Sequence, residues 1–331
     1  MEQKINTKGL VESALSAAII SLIIILSGYF PFFFIISMII IPIIISIVYY
    51  KNDSKYALTC ICISILITFM TLDLVNSVLM GIYYGITGMT LGYCLRKGFS
   101  SYKTLILSVA SVCIGLMISF TIFSIFIVGK NPLESVMNQA TQISDLMNLS
   151  MDKMFELYKS MGVNEAQISV MEEFKSIITP EYVLMMFPST IIFSSFIQGY
   201  ISLAILRKLI KRILNYSLEP LKFEEFYVSN LVGAFLIALI CIALILFGRG
   251  VSWAVIVYNS ILMITILILN LNGVAAVKYF LVKKMMLSNV ASILVILLTF
   301  ITGLFVIFGI IGFAEMLLDF RKLDPHRLRK A

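Results

Sequence analysis

The chain has 331 residues, 60% of them hydrophobic and only 13% charged, with a mean hydropathy of +1.02. That composition excludes a soluble globular domain and defines a polytopic membrane protein in contact with the lipid bilayer. A formal net charge of +7 fits the lysines and arginines that orient membrane helices, so no nucleic-acid partner is expected.

Crossing the hydrocarbon core as a helix takes about 20 apolar residues. By that rule the spans are 10–27, 30–50, 55–72, 74–95, 103–128, 180–206, 228–247, 253–282 and 288–318. The expectation is an all-α helical membrane bundle of about nine spans. Segment 10–27 has no small-x-small cleavage site before the next apolar run, so it is read as a retained span rather than a signal peptide. Helical spacing puts Ala14, Ala17, Ala18 and Ser21 on one small face of it, opposite Leu15, Ile19, Leu22 and Ile23. Small faces let helix backbones approach closely, either within the chain or against a docked partner. Pro42 and Pro188 fall inside the second and sixth spans and should bend them.

Asp73 lies in the short connection between the third and fourth spans. Two readings are open for it: a cap for the following helix, or part of an outward-facing site. The second places Tyr29, Asp73 and Asn76 at the rim of a ligand pocket, with Tyr83 and Tyr84 about two turns deeper on the fourth helix. Gly81, Gly85, Gly88 and Gly92 give that helix a close-packing face.

The one long polar section is 131–179. Asn131-Pro132-Leu133-Glu134 starts a helix, apolar residues recur at helical spacing through Met147, and the pattern resumes after Gly162. Two amphipathic helices outside the membrane follow. They form a hairpin that either rests on lipid or caps the bundle, or else acts as a lid. Further on, Arg207, Lys208, Lys211 and Arg212 are interleaved with apolar residues, as at a membrane interface.

With the N-terminus in the cytoplasm, inner flanks hold 15 of the 25 lysines and arginines and outer segments hold five. The remaining five (Arg321, Lys322, Arg327, Arg329 and Lys330) lie in a tail that nine spans would put outside. Either the tail is an exception, or 288–318 turns back near Thr302-Gly303.

Chemistry is sparsely represented. All five cysteines lie in apolar segments, and Cys60 and Cys62 point to nearly opposite sides of one helix, so neither a disulfide framework nor a zinc site follows. His326 is the only histidine. No catalytic set or phosphate-binding glycine loop occurs, so neither enzyme activity nor a cofactor is expected. Asn259, Asn270 and Asn272, with Glu315 and Asp319 at the end of the last span, read as interhelical hydrogen-bonding glue.

Two resemblances extend this reading. Ala14-x-x-x-Ala18 matches the A-x-x-x-A docking pattern on the first helix of S components of energy-coupling-factor vitamin transporters, which the first six spans resemble. The whole chain resembles the YybS-like family of Gram-positive membrane proteins, through Val48-Tyr49-Tyr50-Lys51 after Pro42, Asn272-Gly273-Val274-Ala275, Gly312-x-x-Glu315 and Asp319-Phe320-Arg321. The first resemblance implies an S-component-like core over 1–212, including the outer hairpin, followed by about three more membrane helices over 213–331. It also implies substrate-binding for small-molecule uptake, with Ala14, Ala17 and Ala18 docking a transmembrane coupling subunit that works with separate ATPases. The alternative is a non-transporting membrane scaffold or regulatory protein that reuses the fold.

Overall fold

The computed structural model describes residues 7–162, 165–216, 218–251 and 253–324. Lys4, His326, Arg327, Arg329 and Lys330 lie outside them. All regular structure among the described residues is helical, and all nine apolar segments form helices. Seven of these are long and apolar enough to cross a membrane, or eight if a bent pair at the end counts as one.

The helices are α1 (Thr7–Tyr29), α2 (Pro31–Asn52), α3 (Ser54–Phe69), α4 (Leu74–Arg96), α5 (Ser101–Phe123, continued by a π-helical turn to Val128), α6 (Pro132–Ser160), α7 (Glu165–Ile177), α8 (Pro180–Leu214), α9 (Asn230–Gly248), α10 (Ala254–Tyr279, with a π-helical turn to Lys284), α11 (Asn289–Ile301) and α12 (Val306–Leu318). At 16 residues, α3 reaches about 24 Å, short of a core of about 30 Å. The last apolar segment is not one helix. Its halves α11 and α12 are bent by 118° at a turn where Gly303 takes φ +75°, so the turn expected near Thr302-Gly303 is present. Pro42 and Pro188 both remain inside continuous helices.

The chain forms two compact units, one built from 1–138 and 191–221, the other from 139–190 and 222–331. In the first unit α2 packs on α1 and α4, and α4 on α5. Gly88 and Gly92 explain the close approach of α4 to α2: a Cβ at Gly88 would sit 2.6 Å from Ile45 Cβ, and one at Gly92 2.5 Å from Tyr49 Cβ. Gly81 and Gly85 instead face Ile65 and Ile61 of α3. At one end of this unit Asn52 donates to Glu12 (2.6 Å) and Arg96 pairs with Asp53.

The expected small face of α1 is divided. Ser13, Ala17, Ile20, Ser21 and Ile24 are buried, whereas Ala14 and Ala18 share the exposed side with Val11, Leu15, Ile19 and Leu22. Successive helical residues are 100° apart, so Ala17 and Ala18 cannot both face the bundle centre.

In the second unit, α10 packs against α9 and α12. The amphipathic pair expected in 131–179 is present as α6 and α7. Lys175 Nζ pairs with Asp152 at 2.5 Å, Asn148 donates to the Ile178 carbonyl at 3.2 Å, and Phe155 and Ile168 are buried.

Candidate functional site

The residues expected to read a solute are mostly committed elsewhere. Asp73 caps α4: its carboxylate accepts from the Asn76 backbone N–H at 2.8 Å and from the Asn76 amide at 2.5 Å. These two bonds hold its carboxyl below the ordinary 3.8. Tyr29 is 67% exposed at the end of α1. Tyr83 and Tyr84 are buried, with ring centroids 5.1 Å apart, in a core cluster with Ile20, Ile24, Ile41 and Ile45. Their hydroxyls are paired. Tyr83 donates to Gln198 Oε1 at 2.5 Å, Gln198 Nε2 donates to the Met38 carbonyl at 2.9 Å, and Tyr84 shares a 2.7 Å bond with Ser37. Asp73 and Asn76 are thus brought together as a cap, and Tyr83 and Tyr84 as a polar layer inside the core. Alongside them α3 and α4 leave an apolar groove of about 320 Å³, lined by Ile61, Ile65, Gly81 and Gly85 among others.

A denser polar constellation lies in the second unit and is assembled from distant parts of the chain. Its basis is backbone contact between α10 and α12. A Cβ on Gly273 would overlap the Phe308 carbonyl, and one on Gly312 would overlap the Leu269 carbonyl, so only glycine permits this crossing. The contact brings Asn272 beside α12, where its amide donates to the Gly312 carbonyl at 2.8 Å.

One turn beyond Gly312 stands Glu315, fully buried. The chain leaves α12 through Asp319 in the left-handed region, φ 48°, and returns Arg321 to Glu315. Arg321 Nε donates to Glu315 Oε1 at 2.7 Å and its backbone N–H to the same oxygen at 3.2 Å. Nη2 donates to Asn272 Oδ1 at 3.0 Å, and Nη1 to the Glu224 carbonyl at 2.9 Å. Asn272 Oδ1 also accepts from the Val228 N–H at 3.3 Å. Asp319 completes the turn by accepting from the N–H groups of Leu323 (2.8 Å) and Asp324 (3.0 Å).

A buried guanidinium thus joins α12, α10 and the short turn Phe223–Glu225. The Glu224 carboxylate faces Lys278 of α10 at 3.1 Å. Burial works to raise its pKa, but its own backbone N–H and the hydrogen bond and charge of Lys278 outweigh that and leave it low. The second oxygen of Glu315, Oε2, is buried with no hydrogen-bond partner. The carboxylate therefore depends on Arg321 for compensation. Among the described residues no cluster of His, Cys, Asp or Glu is placed to hold a metal ion.

In the sequence these partners lie far apart. Asn272, Glu315 and Asp319 stand out in the sequence as polar groups in apolar helices, whereas Arg321 enters only as a tail cation and as the last residue of the Asp319-Phe320-Arg321 match. The available signal was the pair Gly273 and Gly312, each next to or one turn from a buried polar residue.

Long apolar helices locked by a buried ionic network define a polytopic helical membrane protein. The chain belongs to DUF2232, a family of predicted membrane proteins whose family model matches residues 18–316. That membership fits the YybS-like resemblance. No curated protein and no solved structure matches the chain.

Proposed function

We propose that the protein is a non-transporting membrane scaffold or regulatory subunit rather than the substrate-binding part of an uptake system. The observation that carries this reading is the commitment of the candidate binding groups. The hydroxyls of Tyr83 and Tyr84 are satisfied by Gln198 and Ser37 within a packed core, and Asp73 and Asn76 are spent on a helix cap. A site that recognises a polar solute keeps a few convergent polar groups unspent until the ligand arrives. Ala14 and Ala18, exposed on α1, are then the close-approach surface offered to a membrane partner. With α3 counted as a crossing, as the sequence expects, the turn between α11 and α12 also fits a cytoplasmic N-terminus, because a last segment that turns back leaves Arg321 and Lys322 on the side of Lys278, Lys283 and Lys284 of the same unit.

Native mass spectrometry of the protein extracted from its own host membrane in mild detergent tests this. The expected result is an integral-membrane partner lost in the A14L/A18L double variant, with no discrete solute mass. A coupling subunit with an ATPase pair, or a stoichiometric small molecule, would establish the uptake reading instead.

A further inference from the structure

The last two turns of α8 carry Arg207, Lys208 and Lys211, and the chain then folds back beside them. Asn215 takes φ 50°, the Tyr216 N–H donates to the Ile210 carbonyl at 3.4 Å, and the Tyr216 ring lies 5.7 Å from that of Tyr50. Leu218 is buried in a cluster with Leu206 and Ile210. The Ser101 hydroxyl fixes the returning segment by donating to the Glu219 carbonyl at 2.6 Å. Between helix and returning segment lies a cavity of about 580 Å³ lined by Arg207, Lys208, Lys211, Leu218, Glu219 and Pro220. Its walls carry three positive charges and one negative. Although Glu219 shares the cavity, none of the three cations pairs with a carboxylate among the described residues.

We propose that this cavity holds the phosphate of an anionic phospholipid headgroup. Arg207 and Lys211 are one turn apart on the same face of α8, so both reach one phosphate. The guanidinium supplies a bidentate fork that a lysine cannot. Leu218 and Pro220 give the opposite wall an apolar surface for the glycerol end. Depth favours a lipid over a soluble ester. Arg207 follows Pro180 by 27 positions, or about 40 Å of helix, against a hydrocarbon core of about 30 Å, so a helix entering near Pro180 carries its cations to headgroup level. The volume falls within the usual range for small-ligand sites, about 300–1,000 Å³. The inference is independent of the scaffold reading.

The test is native mass spectrometry of the full chain in mixed micelles containing equal phosphatidylglycerol and phosphatidylcholine. Wild type should retain phosphatidylglycerol preferentially. At about 1 kcal/mol per basic residue near an anionic surface, R207Q/K211Q should lower that preference roughly 25-fold. K283Q/K284Q, which removes the cationic pair after α10, should leave it unchanged. If R207Q/K211Q fails to melt with wild type in phosphatidylcholine alone, R207K decides: it keeps the charge, loses the fork and should still lower the preference. An unchanged preference in the α8 variant, or an equal loss in K283Q/K284Q, overturns the proposal. So does displacement of the lipid by millimolar glycerol phosphate, which would identify a soluble ester as the ligand.

Discussion

Replacing Arg321 by methionine probes the network most directly. The substitution keeps much of the side-chain length but removes three side-chain hydrogen bonds, to Glu315, Asn272 and the Glu224 carbonyl. It also leaves a fully buried carboxylate with its second oxygen already unpartnered. Removing one member of a buried ion pair costs about 3–5 kcal/mol, whereas replacing both by apolar groups of similar volume is often close to neutral. R321M should therefore lose about 3–5 kcal/mol, and E315M/R321M should recover most of it despite carrying one more mutation. Unfolding of the purified chain by increasing dodecyl sulfate in mixed micelles can be followed through Trp253, the single tryptophan, which stands at the start of α10 in the same unit. A double variant no more stable than R321M would refute the argument that uncompensated charge, rather than lost packing, sets the cost.

Further outcomes follow from other contacts. G273A and G312A should each lose well over the 1–3 kcal/mol typical of overpacking, because the new methyl meets backbone rather than a movable side chain; G248A, with open space around it, should be tolerated, and size-exclusion profiles of the three variants compare them. Y83F should cost about 1–3 kcal/mol by leaving buried Gln198 Oε1 without its donor, read as a lower melting temperature. D73A should cost about 0.5–2 kcal/mol as a lost helix cap. Because the Asp73 carboxyl titrates below its ordinary value in the fold, its contribution is complete above that value and is lost as pH falls through the folded-state one. The melting difference between D73A and wild type should therefore shrink below about pH 4.

The apolar segments, the outer amphipathic pair and the turn near Gly303 were legible because each is a local property: run length, period or a breaker residue. The burial of α1 was not. Small side chains say that another backbone can come near but not from which direction, so Ala14, Ala17 and Ala18 looked equivalent until the bundle chose the Ser13–Ala17–Ile24 side. Asp73 carried both readings in its sequence context, and the bond to Asn76 shows the cap. The network around Arg321 was hidden for another reason. Its partners Asn272 and Glu224 lie 49 and 97 positions away, and the helix crossing that unites them depends on what two glycines lack.

That crossing also orders events during synthesis. Asn272 and the Glu224 carbonyl are both made before Arg321, whose side chain donates to each of them. Until Arg321 emerges, α10 and α12 can meet only around a buried acid with no counter-charge. A nascent chain, or one cut short by a stop codon or a protease before residue 321, would therefore leave this unit open.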